Sequence, residues 1–133
     1  MCTVERGYGT LSGMTPVTLY HNPRCTKSRQ ALEIANGAAP GEFDVDVVRY
    51  LETPPTTDEL RAILAKLEDE PSKLVRHDNW SELGVTAADV ETAEGVLDVL
   101  GRHPALMERP LIVTAGRAFI GRPTERVADF FGG

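Results

Sequence analysis

Cys25 is the side chain whose setting most invites chemistry. Ahead of it, Val17, Leu19 and His21 alternate with Thr18 and Tyr20, the pattern of a strand, and Asn22-Pro23 breaks it. Behind it, the run from Cys25 to Asn36 reads as a helix, with Ala31, Leu32 and Ala35 on one face and Gly37 as its stop. A thiol at such a junction lies near unpaired backbone N–H groups and the positive end of the helix dipole. Both favour the thiolate, so the Cys25 pKa is expected below that of a free thiol. The same N–H groups cradle anions. One place thus offers a nucleophile and an oxyanion site. Local pattern leaves open the plainer alternative, a small buried core cysteine.

Spacing decides between cysteine chemistries. A dithiol oxidoreductase needs Cys-x-x-Cys, but the second position is Ser28. A tyrosine-phosphatase loop needs an arginine six residues after the cysteine, and that residue is Ala31. Cys25 is therefore read as a monothiol that takes its second thiol from elsewhere. The other cysteine, Cys2, sits in a glycine-rich lead and is a poor resolving partner. Two cysteines are too few for a disulfide scaffold. His21, His77 and His103 lack ligand spacing with either cysteine, so no metal site is expected.

The elements that would position Cys25 follow along the chain. Asp44 to Tyr50 reads as a second strand, with Val45 and Val47 on one side. Thr57 is expected to cap a helix bearing Leu60, Ile63, Leu64 and Leu67. Pro71-Ser72 opens a short helix through Leu74 and Val75. Thr86 is expected to cap the next segment, where Ala93, Val96, Leu97 and Leu100 share a face despite Gly95. Leu111–Val113 and Ala118–Ile120 flank an Ala115-Gly116 turn as a hairpin. Pro123 is expected at the first position of a last helix, with Val127, Phe130 and Phe131 inward. The first β-α-β unit must be parallel and right-handed. The economical packing is an α/β domain: a four-stranded mixed sheet flanked by helices, a thioredoxin-like layout. An extra helical insertion at about 72–102 precedes the hairpin. Residues 1–16 read as a disordered lead and 17–133 as the domain, with Met14 a second candidate start.

Composition narrows the function classes. The chain has 133 residues, 41% hydrophobic and 26% charged, the make-up of a globular domain. Its net charge of −6 argues against nucleic-acid binding, which needs a basic footprint. No apolar run approaches the ~20 residues of a membrane helix, and no secretory signal is visible. A cytoplasmic location is expected.

Five ordered segments carry a family resemblance. Tyr20-His21-Asn22-Pro23-Arg24-Cys25-Thr26-Lys27-Ser28-Arg29 resembles the active-site loop of the glutaredoxin-linked arsenate reductases. Tyr50–Pro55, Lys73–Arg76, His103–Pro110 and Gly121-Arg122-Pro123 resemble that family's other signature segments. The resemblance implies Cys25 as nucleophile and Arg76, Arg109 and Arg122 as substrate-binding arginines. It implies Pro110 as the cis proline before the third strand, and His21, Asn22 and Ser28 as auxiliary loop residues. It implies arsenate as substrate, no bound cofactor, and glutathione or a similar low-molecular-weight thiol with a glutaredoxin-like protein as partners.

The residue types suit that chemistry. Guanidinium forks match tetrahedral oxygens bidentately and stay charged. Three arginines at a helix N-terminus would hold the thiol ionised and stabilise charge that develops during attack. All three are expected to aim at the Cys25 sulfur or at a bound anion. The plain alternatives are a solvated Arg76 and a strand-facing His21. Thr26 and Lys27 stand where the best-characterised arsenate reductases carry Gly and Thr, so the chain also resembles an arsenate-reductase-like subgroup acting on another oxyanion or thiol substrate. The competing class is an Spx-type regulator that binds RNA polymerase, whose Cys-x-x-Cys switch Ser28 interrupts.

Overall fold

The computed structural model describes residues 15–38 and 41–132. Cys2, Met14 and nearly all of the expected lead lie outside the described residues. The exceptions are Thr15 and Pro16, which already belong to the first strand. The order is β1 (Thr15–His21), α1 (Thr26–Asn36), β2 (Phe43–Arg49), α2 (Thr57–Lys66), α3 (Trp80–Leu83), α4 (Ala93–Arg102), β3 (Leu111–Val113), β4 (Ala118–Ile120) and α5 (Thr124–Gly132). Single 3-10 turns lie at Pro71–Leu74, Ala87–Val90 and Pro104–Leu106. The strands form one sheet in the order β2-β1-β3-β4. β1 and β2 are parallel, with Leu19 beside Val47, while β3 runs antiparallel to both β1 and β4. This is the mixed α/β, thioredoxin-like layout expected from the element order.

Alternation along β1 splits the core in two. Val17 and Leu19 join Ala31, Ala35, Ile112, Phe119, Val127 and Phe131 under α1 and α5. Tyr20 points into the other core, with Leu60, Ile63, Val96, Leu100 and Leu111 under α2 and α4. A fully buried leucine such as Leu19 or Leu60 contributes about 1.5–3 kcal/mol. Both cores are anchored on the central strands, which holds the C-terminal end of β1, and so the Cys25 loop, in place.

Local chemistry shifts four expected details. Thr56, not Thr57, caps α2: its hydroxyl accepts from the Glu59 N–H at 3.1 Å and Glu59 accepts from the Thr56 N–H at 2.8 Å. Only Thr56 has an acidic residue three positions on, which the capping box requires. Thr86 caps just the 3-10 turn, and Thr92 caps α4 through the Gly95 N–H at 3.0 Å. Ala93 is therefore an exposed first-turn residue, and Val99 joins Val96, Leu97 and Leu100 in the buried stripe. Gly95 is needed there, because a Cβ would run into the Asp89 carbonyl. Pro123 follows a cis peptide bond and lies outside α5, which starts at Thr124. Val47 stays 39% exposed, on the edge strand beyond the cover of α1, while Val48 is buried in the opposite core.

Candidate active site

Cys25 is the N-cap of α1, its backbone extended (φ −98°, ψ 124°). Asn22 folds the turn before it. The Cys25 N–H donates to the Asn22 carbonyl at 3.0 Å, and the Arg24 N–H donates to Asn22 Oδ1 at 2.9 Å. Ser28 is fully buried and its hydroxyl accepts from the Asn22 N–H at 3.3 Å. Arg29 folds back on the loop, donating to the Pro23 carbonyl at 2.9 Å and to Thr26 Oγ1 at 3.2 Å. The loop is thus closed by bonds spanning no more than six residues. Such Asx-type and cap bonds are what Asn and Ser supply at strand-to-helix junctions.

The other wall comes from distant segments. Val75 pairs antiparallel with Met107, the Arg76 N–H donating to the Leu106 carbonyl at 2.8 Å and the Glu108 N–H to the Leu74 carbonyl at 2.7 Å. The Arg109-Pro110 peptide is cis, as the resemblance implied, and leads into β3. Gly121 lies so close to Pro110 that a Cβ would sit 2.9 Å from its ring and 2.8 Å from Val127. That close approach brings Arg122 across the site. Its Nε donates to the Arg109 carbonyl at 2.8 Å and its Nη2 donates to Cys25 Sγ at 3.4 Å.

These contacts set the charge state of the thiol. Partial burial pushes the Cys25 pKa up. The Ser28 N–H, the Arg109 side chain, the Lys27 N–H and the Arg122 charge together outweigh it, and the thiol titrates below its ordinary value. The Arg109 Nε is itself buried and has no hydrogen-bond partner among the described residues.

Arg76, expected to aim at the Cys25 sulfur or at a bound anion, is held by two carboxylates and does not bond the sulfur. Its Nε donates to Asp78 at 2.8 Å and its Nη1 to Glu108 at 2.9 Å. Burial lowers its pKa, but the two carboxylates more than reverse this. Two carboxylates with hydrogen-bond geometry hold a guanidinium fork more firmly than one thiolate farther off. Arg76 joins the wall through Glu108, whose Oε1 also accepts from the Arg109 N–H at 3.1 Å and lies 3.6 Å from Arg122 Nε. One carboxylate therefore touches all three arginine segments.

His21 is 4% exposed, with Nδ1 unpartnered among the described residues. Burial and then the Arg49 charge hold it below its ordinary pKa. It lines a groove with Leu32, Asp46 and Arg49, and meets the loop through the Ser28 backbone. Reasoning from sequence passed over two residues. Glu108 lies within the His103–Pro110 segment, and its signal was a lone carboxylate directly before a buried-site arginine. Tyr50, fully buried, donates to the Met107 carbonyl at 3.4 Å and contacts Asn22 and Arg109, with its pKa raised by burial. Nothing in a strand-end tyrosine marks that contact in the sequence. Among the described residues no group of three or more His, Cys, Asp or Glu could hold a metal ion, and no helix is long and apolar enough to cross a membrane.

A cap thiolate flanked by Arg122 and a cis Arg109-Pro110 bond can now be set beside known proteins. Residues 20–130 match the ArsC family. The chain belongs to the ArsC family. An arsenate reductase of Neisseria meningitidis serogroup A is 36% identical over 117 residues, 86% of this chain and 97% of that protein. YfgD of Escherichia coli K12, an uncharacterized protein, is 39% identical over 121 residues, covering 87% and 97%. The solved structure of an arsenate reductase from Vibrio cholerae superposes with a TM-score of 0.70 at 32% identity, covering 87% of this chain and 98% of that one. Every ArsC-like segment read from the sequence falls inside the matched stretch.

Proposed function

We propose that this ArsC-family chain is a thiol-dependent arsenate reductase with Cys25 as nucleophile. Besides the family, one observation carries the reading. Arg122 Nη2 stands 3.4 Å from Sγ, and the buried Nε–H of neighbouring Arg109 has no acceptor among the described residues. That is a thiolate with an oxyanion donor beside it. The Thr26, Lys27 and Ser28 N–H groups at the start of α1 complete the cradle. Arg76 contributes long-range charge and binds substrate oxygen only after loosening from Glu108 or Asp78.

The Cys25 thiolate attacks arsenic, and one arsenate hydroxyl takes up a proton and leaves as water, giving a Cys25 S–As(V) adduct. A glutathione-like thiolate attacks the Cys25 sulfur. The S–S bond forms, the S–As pair passes to arsenic, and arsenite departs as As(III). A glutaredoxin-like thiol then exchanges with the mixed disulfide, regenerating the Cys25 thiolate. No bound cofactor takes part. The chemistry belongs in the cytoplasm, where such thiols are kept reduced.

The test is arsenate-dependent oxidation of glutathione and glutaredoxin, comparing wild type with Cys25→Ser. Turnover by wild type alone supports the reading, as does a Cys25–glutathione mixed disulfide trapped during it. Turnover by Cys25→Ser, or no arsenate-dependent turnover by wild type, rejects it.

A further inference from the structure

Behind the arginine wall lies a cavity of about 660 Å³ that the steps above leave unused. It is far larger than a tetrahedral oxyanion requires and falls in the ~300–1,000 Å³ range that holds drug-sized ligands. Its lining is highly charged. Arg76, Arg122, Arg126 and Lys73 face Asp69, Asp78 and Glu108.

Sorting those charges shows what the cavity lacks. Asp69 accepts from Arg126 at 2.8 Å and from the Ile120 N–H at 2.9 Å. Asp78 and Glu108 are both occupied by Arg76. The three carboxylates are thus satisfied by cations of the lining. Lys73 is exposed and its ammonium has no partner among the described residues. Arg122 donates through Nε to the Arg109 carbonyl at 2.8 Å and through Nη2 to the Cys25 sulfur at 3.4 Å, and its Nε lies 3.6 Å from Glu108. Four cations against three carboxylates leave one positive charge in excess, and Lys73 is the lining cation without a partner among the described residues.

Arg122 also links the cavity to the reaction centre, since one guanidinium both lines the cavity and touches Sγ. Cys25 is the only cysteine of the described residues, and the proposed reaction takes its second thiol from outside. We propose that this cavity docks the external thiol, and that the thiol is a peptide-sized molecule bearing carboxylates, one of which pairs with Lys73. The proposal rests on Cys25 being resolved by an outside thiol, and it concerns where that thiol sits rather than what is reduced.

Thiol–disulfide exchange without arsenate separates the two. The Cys25 thiolate attacks one sulfur of a disulfide, forming a mixed disulfide and releasing the other half as thiolate. Rates with glutathione disulfide and with uncharged bis(2-hydroxyethyl) disulfide are read by mass on the Cys25 peptide at 0.15 M salt, as about eight ångströms of screening requires. Each rate is normalised to that of free cysteine. Wild type should favour the carboxylate-bearing disulfide by about tenfold, the effect of one charge-assisted contact after solvent screening. Lys73→Glu should lose most of that preference and Lys73→Arg keep it. Arg24→Glu makes the same charge change one residue from Cys25 but outside the cavity lining, and should keep it. No preference in wild type, an undiminished one in Lys73→Glu, or equal loss in Arg24→Glu overturns the docking site. If the preference behaves as expected while arsenate is not reduced, the thiol site stands and the proposed substrate falls.

Discussion

The two sides of the Cys25 site are built on different length scales. The loop from His21 to Arg29 closes itself, with Asn22, Ser28 and Arg29 bonding backbone and side chains no more than six residues away. The facing wall draws Arg76, Glu108, Arg109 and Arg122 from three separate segments, and Arg122 reaches Cys25 across 97 residues of chain. The loop supplies a nucleophile that needs little from the rest of the fold. The wall adds guanidinium charge to the loop's own Ser28 and Lys27 N–H groups in favouring the thiolate, and it needs nearly all of the fold. Changes in the loop should therefore register first as stability, and changes in the wall first as activity.

Arg122→Ala should break the comparison hardest. It removes a guanidinium that donates to Sγ, along with its bond to the Arg109 carbonyl. The expected loss in arsenate kcat/KM is about 1.5–3 kcal/mol, the scale of a charge-assisted hydrogen bond. Lys should rescue it only in part, because the fork is lost. Ser28→Ala is the loop counterpart. It strands the buried Asn22 N–H and should cost about 1 kcal/mol of stability in urea unfolding. Its effect on kcat should be smaller than that of Arg122→Ala. Arg76→Ala should fall lower still in activity, about 1 kcal/mol or less, because two carboxylates already hold its fork. An Arg76→Ala loss as large as that of Arg122→Ala would mean that substrate pulls Arg76 free.

The smallest expected effect lies at His21. Its folded pKa is lowered, so below about 6.5 the unfolded chain binds more protons than the folded one. The contribution is present above that pH and lost as pH falls. His21→Gln should make the urea midpoint decline less between pH 7.5 and pH 5. An unchanged slope would place the acid sensitivity elsewhere.

The same difference in scale explains what was legible in the sequence. Cys25 as a cap, Asn22-Pro23 as the break, and both strands of the hairpin are local patterns, and each stands where the residues put it. Boundaries moved where two similar residues competed, as Thr56 won over Thr57 through Glu59, and Thr92 over Thr86 for α4. The convergence of Arg109 and Arg122 came only from the family resemblance, since no periodicity links positions 13 residues apart across a hairpin. Glu108 carried only a weak local signal for the same reason. Its role depends on Arg76 being brought alongside by the Val75–Met107 bridge, a contact between segments 32 residues apart.

The arginine wall, together with the loop N–H groups, favours the ionised form of Cys25. The direct measurement is the rate of Cys25 alkylation against pH, followed by mass on the Cys25 peptide in wild type and Arg122→Ala. The wild-type midpoint should lie clearly below the ~8.5 of a free thiol, and Arg122→Ala should raise it. A wild-type midpoint at or above that of a free thiol, or one that Arg122→Ala leaves unmoved, would contradict the account.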